Sequence, residues 1–351
     1  MNKVMKPMRI MPATALLALV CGASAQAQSF SDLALDGRPD RAQRLVAGAK
    51  KEGALTLYTS IPEKDMAVLV ADFDKRYGVK VNVWRASSVK VLQRAAAEAR
   101  ANRWDFDAAA ISSPEMEAMH RERLLQEVRS SHHGDLAPDA MPSHRAWVPQ
   151  FLNVFVQAYN TSLVRKEDLP KSYAELANAK WKGRLGVEAA DSEWYCGVIK
   201  HVGDEKGAKM FRDIVATAGW SVRSGHTLLA NLVASGEVPL ALTVYSYRME
   251  QLKNAGAPVE WFGIDPVIGR ANGAGVSRRP PHPHAALLFY EYLISDAQPL
   301  MVKMNYLAAS TKAPSSLRGV KVRFIDAGIS LDELDGCAKA YDELNGGRGA
   351  R

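Results

Sequence analysis

Residues 53–60 read GALTLYTS, 61–78 read IPEKDMAVLVADFDKRYG, and 79–88 read VKVNVWRASS. The first segment has a short apolar run from Leu55 to Tyr58. Ser60-Ile-Pro-Glu63 then has the form of a capping box with proline at the first helical position. Met66, Leu69, Val70, Phe73 and Tyr77 fall on one face of a helix, Gly78 stops it, and Val79 to Trp84 resumes as strand. Strand, crossover helix and strand form a right-handed βαβ unit, whose loops open at the C-terminal ends of the strands. An α/β fold follows, with ligand chemistry expected at that edge.

The N-terminus gives the chain an address. Lys3, Lys6 and Arg9 precede an apolar run from Ala13 to Val20, and Ala23-Ser-Ala25 or Ala25-Gln-Ala27 supplies a small-x-small cleavage site. Residues 1–25 therefore read as a signal peptide, and the mature protein is expected in the periplasm. Cys21 follows Val20, where a lipidation signal wants a small residue. No other run reaches the roughly 18 apolar residues of a membrane span. Loss of Lys3, Lys6 and Arg9 with the leader lowers the formal charge from +7 to +4, which is no nucleic-acid footprint. At 351 residues the chain is long enough for two lobes. After cleavage only Cys196 and Cys337 remain, either bridged or as two free thiols.

Two further strand ends repeat the opening pattern. Ser87-Ser88 precedes a helix with Leu92, Ala95, Ala96 and Ala99 on one side, and the strand Asp105–Ile111 ends in Ser112-Ser113-Pro-Glu115. Thr59/Ser60, Ser87/Ser88 and Ser112/Ser113 thus meet helix N-termini, which carry free N–H groups and partial positive charge suited to an anion or polar ligand. Neither Gly-x-Gly-x-x-Gly nor a P-loop accompanies them, so a nucleotide is not expected. His132, His133 and His144 lack metal-ligand spacing and read as loop residues.

The apolar run Val148–Tyr159 reads as a strand crossing to a second lobe, and Glu260–Ile268 as the return. The expected division is residues 26–148 with 269–320 for one lobe and 149–268 for the other, with 321–351 a terminal strand and helix packed on a lobe. In the second lobe, strands again lead into polar helix starts. These present Glu188 to Trp194, Arg223, His226 and Thr227, and the Tyr245-Ser-Tyr247-Arg segment.

The phrases GALTLYTS, VKVNVWRASSVKVLQRAAAEAR, WDFDAAAISSPEME, WKGRLGV and GEVPLAL with TVYSYR resemble the periplasmic solute-binding proteins of ferric-iron-type ABC importers over about residues 45–320. The resemblance implies a two-lobed periplasmic binding protein fold of class II type, each lobe a mixed or parallel sheet flanked by helices, joined by crossing strands. It also implies a monomer that closes on one ligand and docks on an inner-membrane ABC permease. In iron-binding members a histidine follows the first strand, a carboxylate the third, and two adjacent tyrosines the strand after the Gly-Glu turn. Pro62, Ser112, Ser246 and Tyr247 stand at those positions here. Tyr245 replaces the missing tyrosine only if the strand end bends, and Glu188, Asp191 and Glu193 offer carboxylates on the opposite rim.

The expected ligand contacts are Thr59, Ser60, Ser87, Ser88, Ser112, Ser113, Trp194, Arg223, His226, Thr227, Tyr245 and Tyr247. An arginine fork and aromatic faces suit a small carboxylate or phosphonate, the leading ligand class. Ferric iron is the alternative, with Tyr245, Tyr247 and Glu188 as metal ligands. No cofactor is expected beyond iron as cargo. A sensory binding protein feeding a membrane receptor is a second alternative. A periplasmic hydrolase is a third, although the chain has no Gly-x-Ser-x-Gly elbow or His-Glu-x-x-His helix.

Overall fold

This computed structural model describes Met1 and residues 29–314, 317 and 319–347. The expected leader and Cys21 lie outside the described residues. β1 (Ala54–Thr59) and β2 (Lys80–Arg85) pair in parallel, and the helix Glu63–Tyr77 joins them. Its buried side chains are Met66, Leu69 and Phe73, and Gly78 closes it at φ 68°. The expected capping box does not form. Pro62 is the N-cap and its carbonyl receives the first helical N–H bonds, while the Ser60 N–H is drawn across to the carbonyl of Ala110.

β3 (Ala108–Ser112) lies parallel to β1 on its other side, and β4 (Leu125–Gln126) is a short edge piece. β5 (Trp147–Asn160) is buried at every position. β6 (Leu185–Glu188), β7 (Ser221–Arg223), β8 (Leu240–Tyr245) and β9 (Val259–Phe262) follow, then β10 (Val267–Ser277), β11 (Leu307–Ala308) and β12 (Val322–Phe324). The strands run in the order β2-β1-β3-β10-β5-β8-β6-β7, with β4 and β12 added to β10 and β9 and β11 to β5. A mixed sheet flanked by helices on each side of two crossing segments is the two-lobed architecture expected from the sequence.

β5 changes partners along its length. Trp147 to Val154 pairs with β10, whereas Phe155 to Tyr159 pairs with β8, and Gln157 to Asn160 with β9. The crossing therefore falls later in the strand than residue 149, because Phe151 and Leu152 are still held by β11 and β10. β10 returns antiparallel between β3 and β5 and is rich in glycine. A Cβ at Gly273 would lie 2.8 Å from the Trp147 ring and 2.9 Å from Met116 Cγ, so the bare backbone lets the helix Ser113–Arg121 and Trp147 close onto the strand.

The first lobe's core is filled by the helix Pro283–Ile294. Nine of its residues are buried, which is the pattern of a helix enclosed on nearly all sides. In the second lobe, Trp194 and Tyr173 pack around Phe211, with ring centroids 5.2 and 6.0 Å from it. The C-terminal helix Ala327–Leu344 contacts both the helix Ser113–Arg121 of the first lobe and the helix Ser192–Val202 of the second, so it is not confined to one lobe. Cys196 and Cys337 form a disulfide between that helix and the second lobe.

Candidate functional site

Strand ends and helix starts gather the polar groups, though not in the set the sequence indicated. On the first lobe, Thr59 is fully buried and committed: its Oγ1 donates to the Ala110 carbonyl at 2.8 Å and accepts from the Ile61 N–H at 3.1 Å. Ser87 caps the helix Ser88–Arg100 by accepting from the Lys90 N–H. Ser88 and Ser112 share a hydroxyl contact of 3.2 Å, and Ser88 Oγ also accepts from the Ser112 N–H. Ser113 is buried and Ser60 half-buried. Thr59 is therefore a structural brace rather than a ligand contact, whereas the Ser88–Ser112 pair stands at adjoining helix starts.

On the second lobe two expectations are corrected. Trp194 is fully buried in the core, where its Nε1 donates to the Tyr173 hydroxyl at 3.2 Å. Arg223 pairs with Glu237 at 3.0 Å instead of turning to the mouth, because Glu237 follows the glycine that ends the neighbouring helix. Thr227 is exposed at the start of the helix His226–Ser235.

His226, Tyr245 and Tyr247 do come together. The His226 ring stacks on Tyr245 at 4.1 Å, Tyr245 lies 5.9 Å from Tyr247 and nearly parallel to it, and Tyr247 stacks on Tyr306 at 4.1 Å. β8 ends at Tyr245 and a helix begins at Ser246, and this bend aligns two tyrosines that a continuing strand would also keep on one side but farther apart. Tyr306, from the first lobe, extends the row and donates to Asp65 at 2.6 Å. Burial pushes the Tyr247 phenol up to about 12 and the Tyr245 phenol well above its ordinary range, although Arg270 opposes the second shift.

Glu188, Asp191 and His226 form the acidic heart of the site, with one ligand atom from each lying within 4.8 Å of the other two. His226 Nε2 is 2.8 Å from Asp191 Oδ1, while Asp191 Oδ2 is buried without a partner. The Glu188 carboxylate accepts from the Gly225 and Ala190 N–H groups at 2.8 and 2.6 Å. Burial raises its pKa, and Asp191 adds to the rise. For His226, burial acts downward, but Asp191 outweighs it and the imidazolium is favoured.

Arg270 was not apparent from the sequence as a site residue. It lies in β10 between the lobes, ion-pairs with Glu193, and donates to the Tyr245 hydroxyl at 2.6 Å. A lone arginine inside a strand of small and apolar residues was the available signal.

Glu115 sits at the start of the helix Ser113–Arg121 with a buried, unpartnered Oε2. Burial pushes its carboxyl up to about 7, against Arg270 and with Glu193. Between the ordinary value of 4.5 and about 7 the unfolded chain releases this proton while the native chain keeps it. Stability should then fall with rising pH by about 1.4 kcal/mol per unit, levelling off once the native carboxyl has ionised. Glu115→Gln is therefore expected to stabilise the protein by about 1–3 kcal/mol at pH 8 and by nothing at pH 4, as read from urea midpoints. An equal gain at both pH values would assign the effect to packing instead of the proton.

A family model described as bacterial extracellular solute-binding protein matches residues 55–303. The chain is 25% identical to iron uptake protein A1 of Synechocystis sp. over 281 residues, covering 72% of this chain and 74% of that one. Its fold matches iron-bound HitA from Pseudomonas aeruginosa with a TM-score of 0.72 at 18% identity, over 83% of this chain and 99% of that one. AfuA from Actinobacillus pleuropneumoniae, with fructose-6-phosphate bound, matches with the same TM-score and identity over 84% of this chain and 98% of that one.

Proposed function

The chain belongs to the bacterial extracellular solute-binding proteins, and on that premise we propose that it captures ferric iron between its lobes for delivery to an inner-membrane ABC permease. The observation that carries this reading is the convergence of Glu188, Asp191 and His226, with a buried unpaired oxygen on Asp191, beside the Tyr245 ring. Carboxylate, imidazole and phenolate are the donors that a hard trivalent cation prefers. The iron uptake function named for the Synechocystis relative agrees with that chemistry.

Iron is cargo here and not a resident cofactor. Metal binding would displace the proton that burial keeps on the Tyr245 phenol, and burial pulls the Glu188 carboxyl in the same direction, so affinity should weaken as pH falls. The helix starts at Ser88 and Ser113 offer N–H groups and hydroxyls to a small carboxylate that completes the metal's sphere. The protein acts as a periplasmic monomer and performs no catalysis. A sensory receptor in place of the permease would use the same capture step.

An organic anion as the sole cargo is the second reading, favoured by the fructose-6-phosphate bound to AfuA. It is the weaker one because Arg223 is engaged by Glu237 and Arg270 by Glu193, which leaves the site acidic. Metal-free protein is the material for the test. With ferric citrate it should develop a visible phenolate-to-iron absorption band and gain about 2.7 kcal/mol of stability at roughly 100 times the dissociation constant. Tyr245→Phe should diminish the band. A colourless protein stabilised equally by citrate or a sugar phosphate alone would replace iron with the anion.

A further inference from the structure

The C-terminal helix Ala327–Leu344 is bound to the two lobes by unlike means. Its hold on the second lobe is covalent and dense. The Cys196–Cys337 disulfide is joined by a Lys200–Glu333 ion pair, and the Tyr341 hydroxyl donates to the Glu188 carbonyl at 2.8 Å. Ser330 Oγ donates to Glu193 at 2.8 Å, and Trp220 Nε1 donates to Asn345 just past the helix end at 2.9 Å.

Among the described residues, its side-chain polar hold on the first lobe is carried by Arg121, beside its packing on the helix Ser113–Arg121. Arg121 pairs with Asp332 and donates to the Gly328 carbonyl at 3.2 Å, and the two charged side chains are 42% and 63% exposed. Just before the helix, β12 pairs in parallel with the start of β10, the strand that re-enters the first lobe. The helix thus spans the crossing, cross-linked to one side and held to the other by packing on the helix Ser113–Arg121 and an exposed clamp, while touching both Glu188 and Glu193.

We propose that this helix is a latch on lobe movement: it travels with the second lobe, and the Arg121 clamp to Asp332 and Gly328 is the contact made and released as the lobes change their relation. The unequal anchoring supports that division of labour. A disulfide does not open in a binding cycle, whereas an exposed ion pair contributes about 1 kcal/mol or less, small enough to be reversible and large enough to shift a two-state balance. Tyr341 and Ser330 couple the latch to the site by fixing the backbone of Glu188 and the carboxylate of Glu193.

The coupling to cargo rests on the iron reading, but the motion does not, so the two are tested apart. Spin labels carried on non-natural residues at Val83 in β2 and Leu228 in the helix His226–Ser235, exposed positions on the two lobes, give the interlobe distance distribution by pulsed dipolar spectroscopy. In metal-free protein, Arg121→Ala should broaden that distribution. The charge-swapped pair Arg121→Asp with Asp332→Arg should narrow it again. Ferric citrate titration should show a two- to five-fold change in dissociation constant for Arg121→Ala, the range of an exposed ion pair. If no variant binds iron but the distribution broadens, the cargo assignment fails and the latch stands. Distributions that superimpose for wild type and Arg121→Ala overturn the latch.

Discussion

Arg270→Leu is expected to destabilise the protein by about 3–5 kcal/mol, because it leaves a buried carboxylate without its counter-charge. The Arg270 and Glu193 side chains are 12% and 6% exposed, and the pair lies where β10 passes between the lobes. The guanidinium also donates to the Tyr245 hydroxyl and stands 5.4 Å over the Phe155 ring. Burial disfavours the guanidinium's charge, but Glu193 more than offsets this and keeps it protonated. With leucine in its place, the Ser330 hydroxyl is the partner Glu193 retains among the described residues.

A second variant separates charge from packing. Arg270→Leu combined with Glu193→Leu removes both ions, and a buried pair exchanged for apolar groups is often close to neutral in stability. The double variant should therefore recover most of the loss in urea unfolding at pH 7. A double variant as unstable as the single one would locate the loss in the Phe155 and Tyr245 contacts. The single change should also free the Tyr245 hydroxyl, so the iron absorption band is a further readout of the same contact.

The opening βαβ unit was legible because its signals are local: an apolar run, a face at helical spacing and a glycine stop. The capping box was misread because the competing acceptor, the Ala110 carbonyl, belongs to a strand about fifty residues away, and only the fold brings it to Ser60. Thr59 is spent on that same carbonyl. His226, Tyr245 and Tyr247 were visible as polar residues at strand ends, but their stacking required the bend at Ser246.

Arg270, Tyr306 and Glu115 act through partners that no short window contains. The same limit affected several histidines, of which His133 had read as a plain loop residue. His282 pairs with the buried Asp107 at 2.9 Å, His284 with Glu52 at 2.7 Å, and His133 with the Tyr290 hydroxyl at 2.7 Å. Burial takes His133 down to about 4, so it stays neutral as a core hydrogen-bonding group. Sequence periodicity therefore located the sheet edges, whereas the ion pairs around the site depended on long-range register.

Replacing Cys196 and Cys337 together by serine is expected to cost about 2–5 kcal/mol, because a cross-link over a long loop removes much freedom from the unfolded chain. The two cysteines are separated by 141 positions, near the upper end of the loop lengths for which chain entropy gives about 4–5 kcal/mol. The loss should be read as the difference in urea unfolding free energy between the oxidised wild type and the double variant, each with its own measured slope. The slope should rise for the variant, since its unfolded chain exposes more surface without the cross-link. Hydrogen exchange locates the effect. Amides at the start of the helix Ala327–Leu344 should lose protection first, because beyond the buried Tyr341 its remaining ties are the exposed Lys200–Glu333 and Arg121–Asp332 pairs and a few hydrogen bonds. The buried strands β1 and β3 should keep theirs, as they pair within the first lobe and do not touch the staple. Uniform loss of protection in all three segments would mean that the disulfide supports the whole fold, and that the terminal helix cannot move independently of the first lobe.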